Sequence, residues 1–214
     1  MSDQLRPVRT SIAAASATLI VIALAGCVQA ETQTATEPSA AAPTASTTPA
    51  EVTPTPVVEP LVLPECSTMV PLDVAKSWFA ESTVVLEDSS LLEAEEWFMP
   101  EEAAVVSNAS LAKNCWWGVP RGDGAFGLTV TDIDSTHRMT LSTALLDEGA
   151  VETALGSVTV LNVLTLGGLN DIYDTHYFAD DVWIHGSANN DQLSTRLADA
   201  ALEQLRLANP TLSY

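Results

Sequence analysis

Asp171, Asp174, His176, Asp180, Asp181 and His185 crowd one short stretch of this chain and offer its best set of side chains for binding a metal or moving a proton. A turn at Ala179-Asp180-Asp181 pairs residues 173–178 with 182–186 as a hairpin, and in that register His176 lies directly across from His185. Imidazoles beside a carboxylate can hold a transition metal, or report pH, because histidine titrates near neutrality. The plainer reading is two exposed strand histidines among turn acids, and another register would separate them. No metal is therefore assigned, and His176 and His185 stand as candidates only. Asp132 and Asp134 alternate onto one strand face, where they could meet a hard cation, but two carboxylates are thin evidence.

Aromatic residues supply the other chemistry. The chain has five tryptophans, and a concave sheet face lined by Trp116, Tyr177 and Trp183 could receive an apolar or carbohydrate ligand. Core packing is the competing role for each. A Trp97-Phe98-Met99 run among acids could be a docking patch or, more simply, core. No GxSxG elbow, Walker lysine or HExxH helix occurs, and Gly167-Gly168 is followed by no lysine. The chain thus offers no catalytic residues and no cofactor motif, and the expectation is a protein that binds rather than catalyses.

The elements that must position these residues follow from periodicity. Val70, Val74, Ala75, Trp78 and Phe79 recur at helical spacing behind Pro71, and residues 83–86 suit a short strand. Residues 101–108 fit one helix. Cys115-Trp116-Trp117-Gly118 opens a hairpin that turns at Gly122-Asp123-Gly124 and returns through Phe126, Leu128 and Val130. Alternation puts Cys115 and Trp117 on one face and Trp116 on the other. Residues 136–147 have helical character. Residues 157–165 are apolar at nearly every position, the mark of a central strand covered on both sides. The last helix is the plainest: Asn189 or Asn190 caps it, Leu193, Leu197, Ala201 and Leu205 repeat every four residues, and Asn209-Pro210 ends it. The sum is α+β, an antiparallel sheet of about five strands with helices packed on it.

The N-terminal quarter reads differently. Arg6 and Arg9 precede a 15-residue apolar run, Ser11 to Ala25, shorter than a spanning helix and near the length of a signal-peptide core. The run ends in Leu24-Ala25-Gly26-Cys27, which resembles a bacterial lipobox. Cleavage before Cys27 makes residues 1–26 a lipoprotein signal peptide and leaves a diacylated cysteine, since stable anchoring takes two acyl chains. An uncleaved anchor is the alternative. Residues 27–64, rich in Thr, Ala and Pro, read as a disordered tether, and residues 65–214 as the extracytoplasmic domain. With Cys27 given to lipid, Cys66 and Cys115 remain, and an oxidising compartment favours their pairing over two buried thiols or a zinc site.

Charge narrows the partners. Twenty-eight Asp and Glu against eight Lys and Arg give −20, a surface that repels phosphate backbones, so nucleic acid is excluded as a partner.

An early cysteine leading into a short helix, a second cysteine followed by tryptophan at a strand start, a Gly-Leu-x-Asp break, an aromatic hairpin and a C-terminal helix resemble small actinobacterial lipoproteins. By analogy the architecture is similar to the Mog1/PsbP-like sandwich. The resemblance implies the location and fold, the Cys66–Cys115 pair with Trp117 nearby, and no catalytic residues. The expectation is a lipoprotein on the outer face of the bacterial cytoplasmic membrane, anchored through Cys27. It binds a small ligand or an envelope protein, with an envelope assembly factor or a metal-dependent hydrolase as alternatives.

Overall fold

Seven strands, rather than about five, form the antiparallel sheet among the described residues, in the order β1-β2-β3-β7-β6-β5-β4. The computed structural model describes residues 60–89, 98–122, 124–167 and 170–211, all within the compact unit Pro54–Tyr214. Cys27, the signal segment 1–26, tether residues 27–59, Trp97 and the first two residues of the Gly-Leu-x-Asp break, Gly168 and Leu169, lie outside them. The strands are β1 Val84–Ser89, β2 Ala112–Gly118, β3 Ala125–Asp132, β4 Val151–Leu155, β5 Val158–Thr165, β6 Ile172–Ala179 and β7 Val182–Ala188. The helices are α1 Cys66–Met69, α2 Leu72–Trp78, α3 Pro100–Asn108, α4 Ser135–Asp147 and α5 Asp191–Ala208.

The additional strand is β4, whose five residues are all exposed. An edge strand without a buried face carries no alternation, so periodicity passes over it. Strand β5, expected at the centre, is next to that edge. Its apolar run serves two cores: Val158 and Val160 join one and Leu161 and Val163 the other, while its far end emerges into solvent. The centre belongs to β7, buried at every position.

Helices cover both faces. Asn190 caps α5 by accepting from the Leu193 N–H at 2.9 Å, and the buried stripe Leu193, Leu197, Ala201, Leu202 and Leu205 lies on the sheet with Trp117, Phe126, Leu128, Val130 and Ile184. Cys66 and Cys115 are bonded (Cα–Cα 5.6 Å) and join α1 to β2 within this core. Residues 61 and 63 pack against it as well, and Asn209 fastens this segment by accepting from Val62 N–H at 2.7 Å and donating to its carbonyl at 2.9 Å. Residues 61–63, read from the sequence as tether, thus contact the domain.

The opposite face carries a smaller core from α3 and α4, built on Val105, Val106, Leu141, Leu145, Leu161, Phe178 and Trp183. Asp134 caps α4, accepting from the N–H groups of Thr136 and His137 at 2.8 and 2.9 Å. Asp132 accepts from the Ser110 and Leu111 N–H groups, both at 2.8 Å. Each carboxylate thus has a structural task. Among the described residues, no helix is long and apolar enough to cross a membrane.

Candidate functional site

Cross-strand register decides which polar side chains meet. His176 of β6 pairs with His185 of β7, Phe178 with Trp183, and Asp174 with Ser187, so all six point to the α3/α4 face. The hairpin turns at Asp180 and Asp181, as its sequence predicts, with Asp180 in the left-handed region at φ 47°. Those two aspartates are thereby held at the far end of the hairpin. Asp174, His176 and His185 come together, and Asp171 borders the same region.

Both histidines are buried, at 1% and 3% exposure, instead of standing on a solvated strand. Their rings stack with centroids 4.5 Å apart and planes 6° apart, and Trp183 continues the stack at 6.0 Å from His176 and 5.5 Å from His185. Phe98 closes one side, 6.1 Å from His185. Phe98 therefore belongs to the core and not to a surface docking patch.

The residue that sequence reasoning missed is Glu102. It follows Pro100 in the first turn of α3, and its Oε2 accepts from the Met99 N–H at 3.0 Å, one half of a capping arrangement. That bond turns Oε1 toward the histidines, 3.8 Å from His176 Nδ1 and 4.0 Å from His185 Nδ1. The capping half was open to view in the sequence. The burial was not, because an acid in a first helical turn ordinarily faces water.

Protonation follows from partners. His185 Nε2 donates to Asp174 Oδ1 at 3.0 Å. Burial works against a charge on His185, but that hydrogen bond and the negative charges of Glu102 and Asp174 outweigh it, and its pKa is raised. Burial likewise pushes the Asp174 carboxyl up, yet the contacts with His185 hold it below the usual carboxylate range. Burial, helped by the charge on His185, holds His176 well below the ordinary histidine value, so it is neutral. The Trp183 indole N–H donates to its Nδ1 at 3.3 Å, which leaves the ring proton on Nε2. Burial raises Glu102 against the opposing pull of His185 and the Met99 N–H.

The cluster opens onto two cavities. One, of about 490 Å³, lies where β3 and β6 begin and β7 ends, and its walls include Trp116, Asp171, Asp174, His185, Ser187 and Asn189. The other, of about 370 Å³, lies toward α3 and α4 and reaches His176. Glu102 and Asp174 border both.

No family model matches the chain, and no curated protein matches it. Among solved structures, a GTP binding regulator from Thermotoga Maritima is similar at 9% identity, over 62% of this chain and 87% of that one, with a TM-score of 0.35. A likeness that slight carries no argument about function.

Of the three aromatics expected on one face, two share it. Trp116 lines the larger cavity and Trp183 backs the histidines from beneath. Tyr177 is on the opposite face, in the α5 core, where its hydroxyl donates to Asp199 Oδ1 at 2.8 Å. Adjacent strand positions alternate in direction, so a residue flanked by His176 and Phe178 must face away from both.

Proposed function

We propose that this chain is a lipid-anchored extracytoplasmic binding protein that holds a small, polar, carbohydrate-like ligand in the cavity beside the histidine cluster. The observation that carries the reading is the cavity wall. The Trp116 ring offers a flat apolar surface, while Asp171, Asp174 and Asn189 offer hydrogen-bonding groups around it. Aromatic faces combined with a few placed polar groups suit a ligand that has both C–H surfaces and hydroxyls. A purely apolar ligand would leave these polar groups desolvated and unpaired. The Cys66–Cys115 bond supports residence in an oxidising compartment, and helices on both faces of an antiparallel sheet support the Mog1/PsbP-like architecture. The lipid anchor rests on the lipobox-like residues ending in Cys27.

Native mass spectra of the intact protein, purified in detergent from its own envelope and recorded before and after denaturation, test the reading. An organic mass released on denaturation, and lost in Trp116→Ala, is the expected result. A wild-type chain that carries no organic mass and shows no binding on a glycan array would refute it. The wild type should carry acyl mass on an N-terminal Cys27, and Cys27→Ser should lose it and accumulate uncleaved; a wild-type chain with no acyl mass on Cys27 would refute the anchor.

The alternative of an envelope assembly factor draws on β4, an edge strand with all five residues exposed, including Val151 at 64%. Such an edge can accept a partner strand. Recovery by crosslinking of one dominant protein partner through residues 151–155 would favour it. The hydrolase alternative rests on the same buried cluster and gains nothing from the cavity wall.

A further inference from the structure

We infer that Glu102, His176 and His185 form a binding site for one transition-metal dication of the zinc class, with Asp174 orienting His185. Two imidazoles and one carboxylate are a donor set that zinc accepts in sites that keep a further position open. One ligand atom from each residue lies within 4.8 Å of the others, and all three side chains are buried. Donors about 2.0–2.2 Å from one tetrahedral ion sit roughly 3.3 Å apart. The Glu102 oxygen, 3.8 and 4.0 Å from the two Nδ1 atoms, is therefore about half an ångström from a ligating separation.

The surroundings favour ligation at these atoms. Asp174 accepts from His185 Nε2 at 3.0 Å, the carboxylate–histidine pairing that fixes a ligand ring and leaves its other nitrogen for the metal. Glu102 is held from behind by the Met99 N–H, so one of its oxygens is committed and the other directed. His176 Nδ1 already presents a lone pair, which the Trp183 indole N–H now occupies. Binding requires that hydrogen bond to give way and the proton on His185 Nδ1 to leave to solvent, because only a neutral imidazole ligates. It also requires the stacked rings to splay, because an ion must lie near the plane of each imidazole. The two cavities that border Glu102 supply a route for the ion and space for water or a ligand group on the open position. The chain's net charge of −20 raises the local concentration of cations around it.

The inference stands apart from the organic ligand proposed above, because its probe is the metal ion alone. A chain that takes zinc but no organic mass, or the reverse, separates the two. The full-length protein in detergent, stripped with chelator, is titrated with Zn²⁺ by calorimetry and with Co²⁺ by visible absorption. One ion per chain is expected, with cobalt d–d bands of nitrogen and oxygen ligation and a rise in Tm on zinc addition. Asp174→Asn should weaken zinc binding by about 10- to 100-fold, and Glu102→Gln or His185→Gln by more. His137→Ala should change neither stoichiometry nor affinity, since His137 lies in the first turn of α4, paired with Asp134 outside the cluster. Cu²⁺ should quench tryptophan emission in the wild type and quench a smaller fraction in Trp183→Phe. The absence of zinc binding and of cobalt bands in the wild type overturns the inference without any variant. So does undiminished affinity in folded Glu102→Gln and His185→Gln, or loss of binding in His137→Ala.

Discussion

The seating of α5 on the middle of the sheet can be challenged with a single methyl group. Gly186 occupies the central strand β7, and a Cβ built there falls 2.3 Å from the backbone carbonyl oxygen of Ser194 and 3.2 Å from the Leu197 Cβ. Ordinary contact begins at 3.4 Å, so Gly186→Ala requires strand and helix to separate by about 1.1 Å at that point. The obstructing oxygen cannot rotate away, because it belongs to the main chain within an 18-residue helix. The helix must move as a body, which loosens Leu197, Ala198, Ala201 and Leu202 against the sheet together. Overpacking of this kind costs about 1–3 kcal/mol, and a main-chain obstacle places this case at the upper end. At about 2–4 °C per kcal/mol for a domain of this size, the melting temperature should fall by roughly 6–12 °C. Thermal unfolding followed by circular dichroism is sufficient to read it, with urea denaturation as a second measure. A Gly186→Ala protein that melts within about 2 °C of the wild type would refute the close approach of α5 to β7.

Other perturbations test other parts. Gly127→Ala places a Cβ 2.7 Å from the Trp116 indole, a side chain that can swing aside; stability should fall by only about 1 kcal/mol, while near-ultraviolet dichroism changes and glycan binding is lost as the cavity wall moves. Removing the Cys66–Cys115 bond, across a sequence separation of 49, should cost about 4 kcal/mol in the loop-entropy model, read as the gap between oxidised and reduced urea midpoints. The Asp134 carboxyl is held below its ordinary value of 3.8 by the His137 N–H, the His137 side chain and the Thr136 N–H. A lowered folded pKa gives stability that is present above the unfolded value and lost as pH falls through the folded one. The Tm gap between wild type and Asp134→Ala should therefore narrow below about pH 3.8, and a gap constant down to pH 2 would contradict the cap's charge.

Local and tertiary information divide cleanly in this chain. Helix α5 was legible because its four-residue repeat, Asn190 cap and Asn209-Pro210 stop agree with one another. The His176–His185 pairing was legible because a two-residue turn fixes hairpin register. Strand order was not. Strand β7 is the most buried, yet it carries His185, Gly186 and Ser187, a composition that resembles an edge. Strand β5 has the composition of a centre and stands one place from the rim. Composition reports the sum of contacts on two faces, and neighbours in the sheet are set by pairings distant in sequence. Glu102 was hidden for the same reason. Nothing within ten residues of it indicates that α3 will lie across a hairpin more than seventy residues away.

The two faces of the sheet also differ in what they contribute. The α5 face holds the larger apolar core, the disulfide and the docked segment at residues 61–63, all of which favour the folded state directly. The histidine face buries Glu102, His176 and His185, with Asp174 half-buried beside them, against the smaller core. Buried ionic groups rarely stabilise a fold more than apolar side chains of the same volume would, because desolvation offsets most of their attraction. A sequence selected only for stability would extend Leu161, Phe178 and Trp183 into a continuous apolar layer. The large core opposite makes the polar cluster tolerable. Its directed oxygen, its oriented imidazole and its two adjoining cavities are better explained by something it binds than by anything it stabilises.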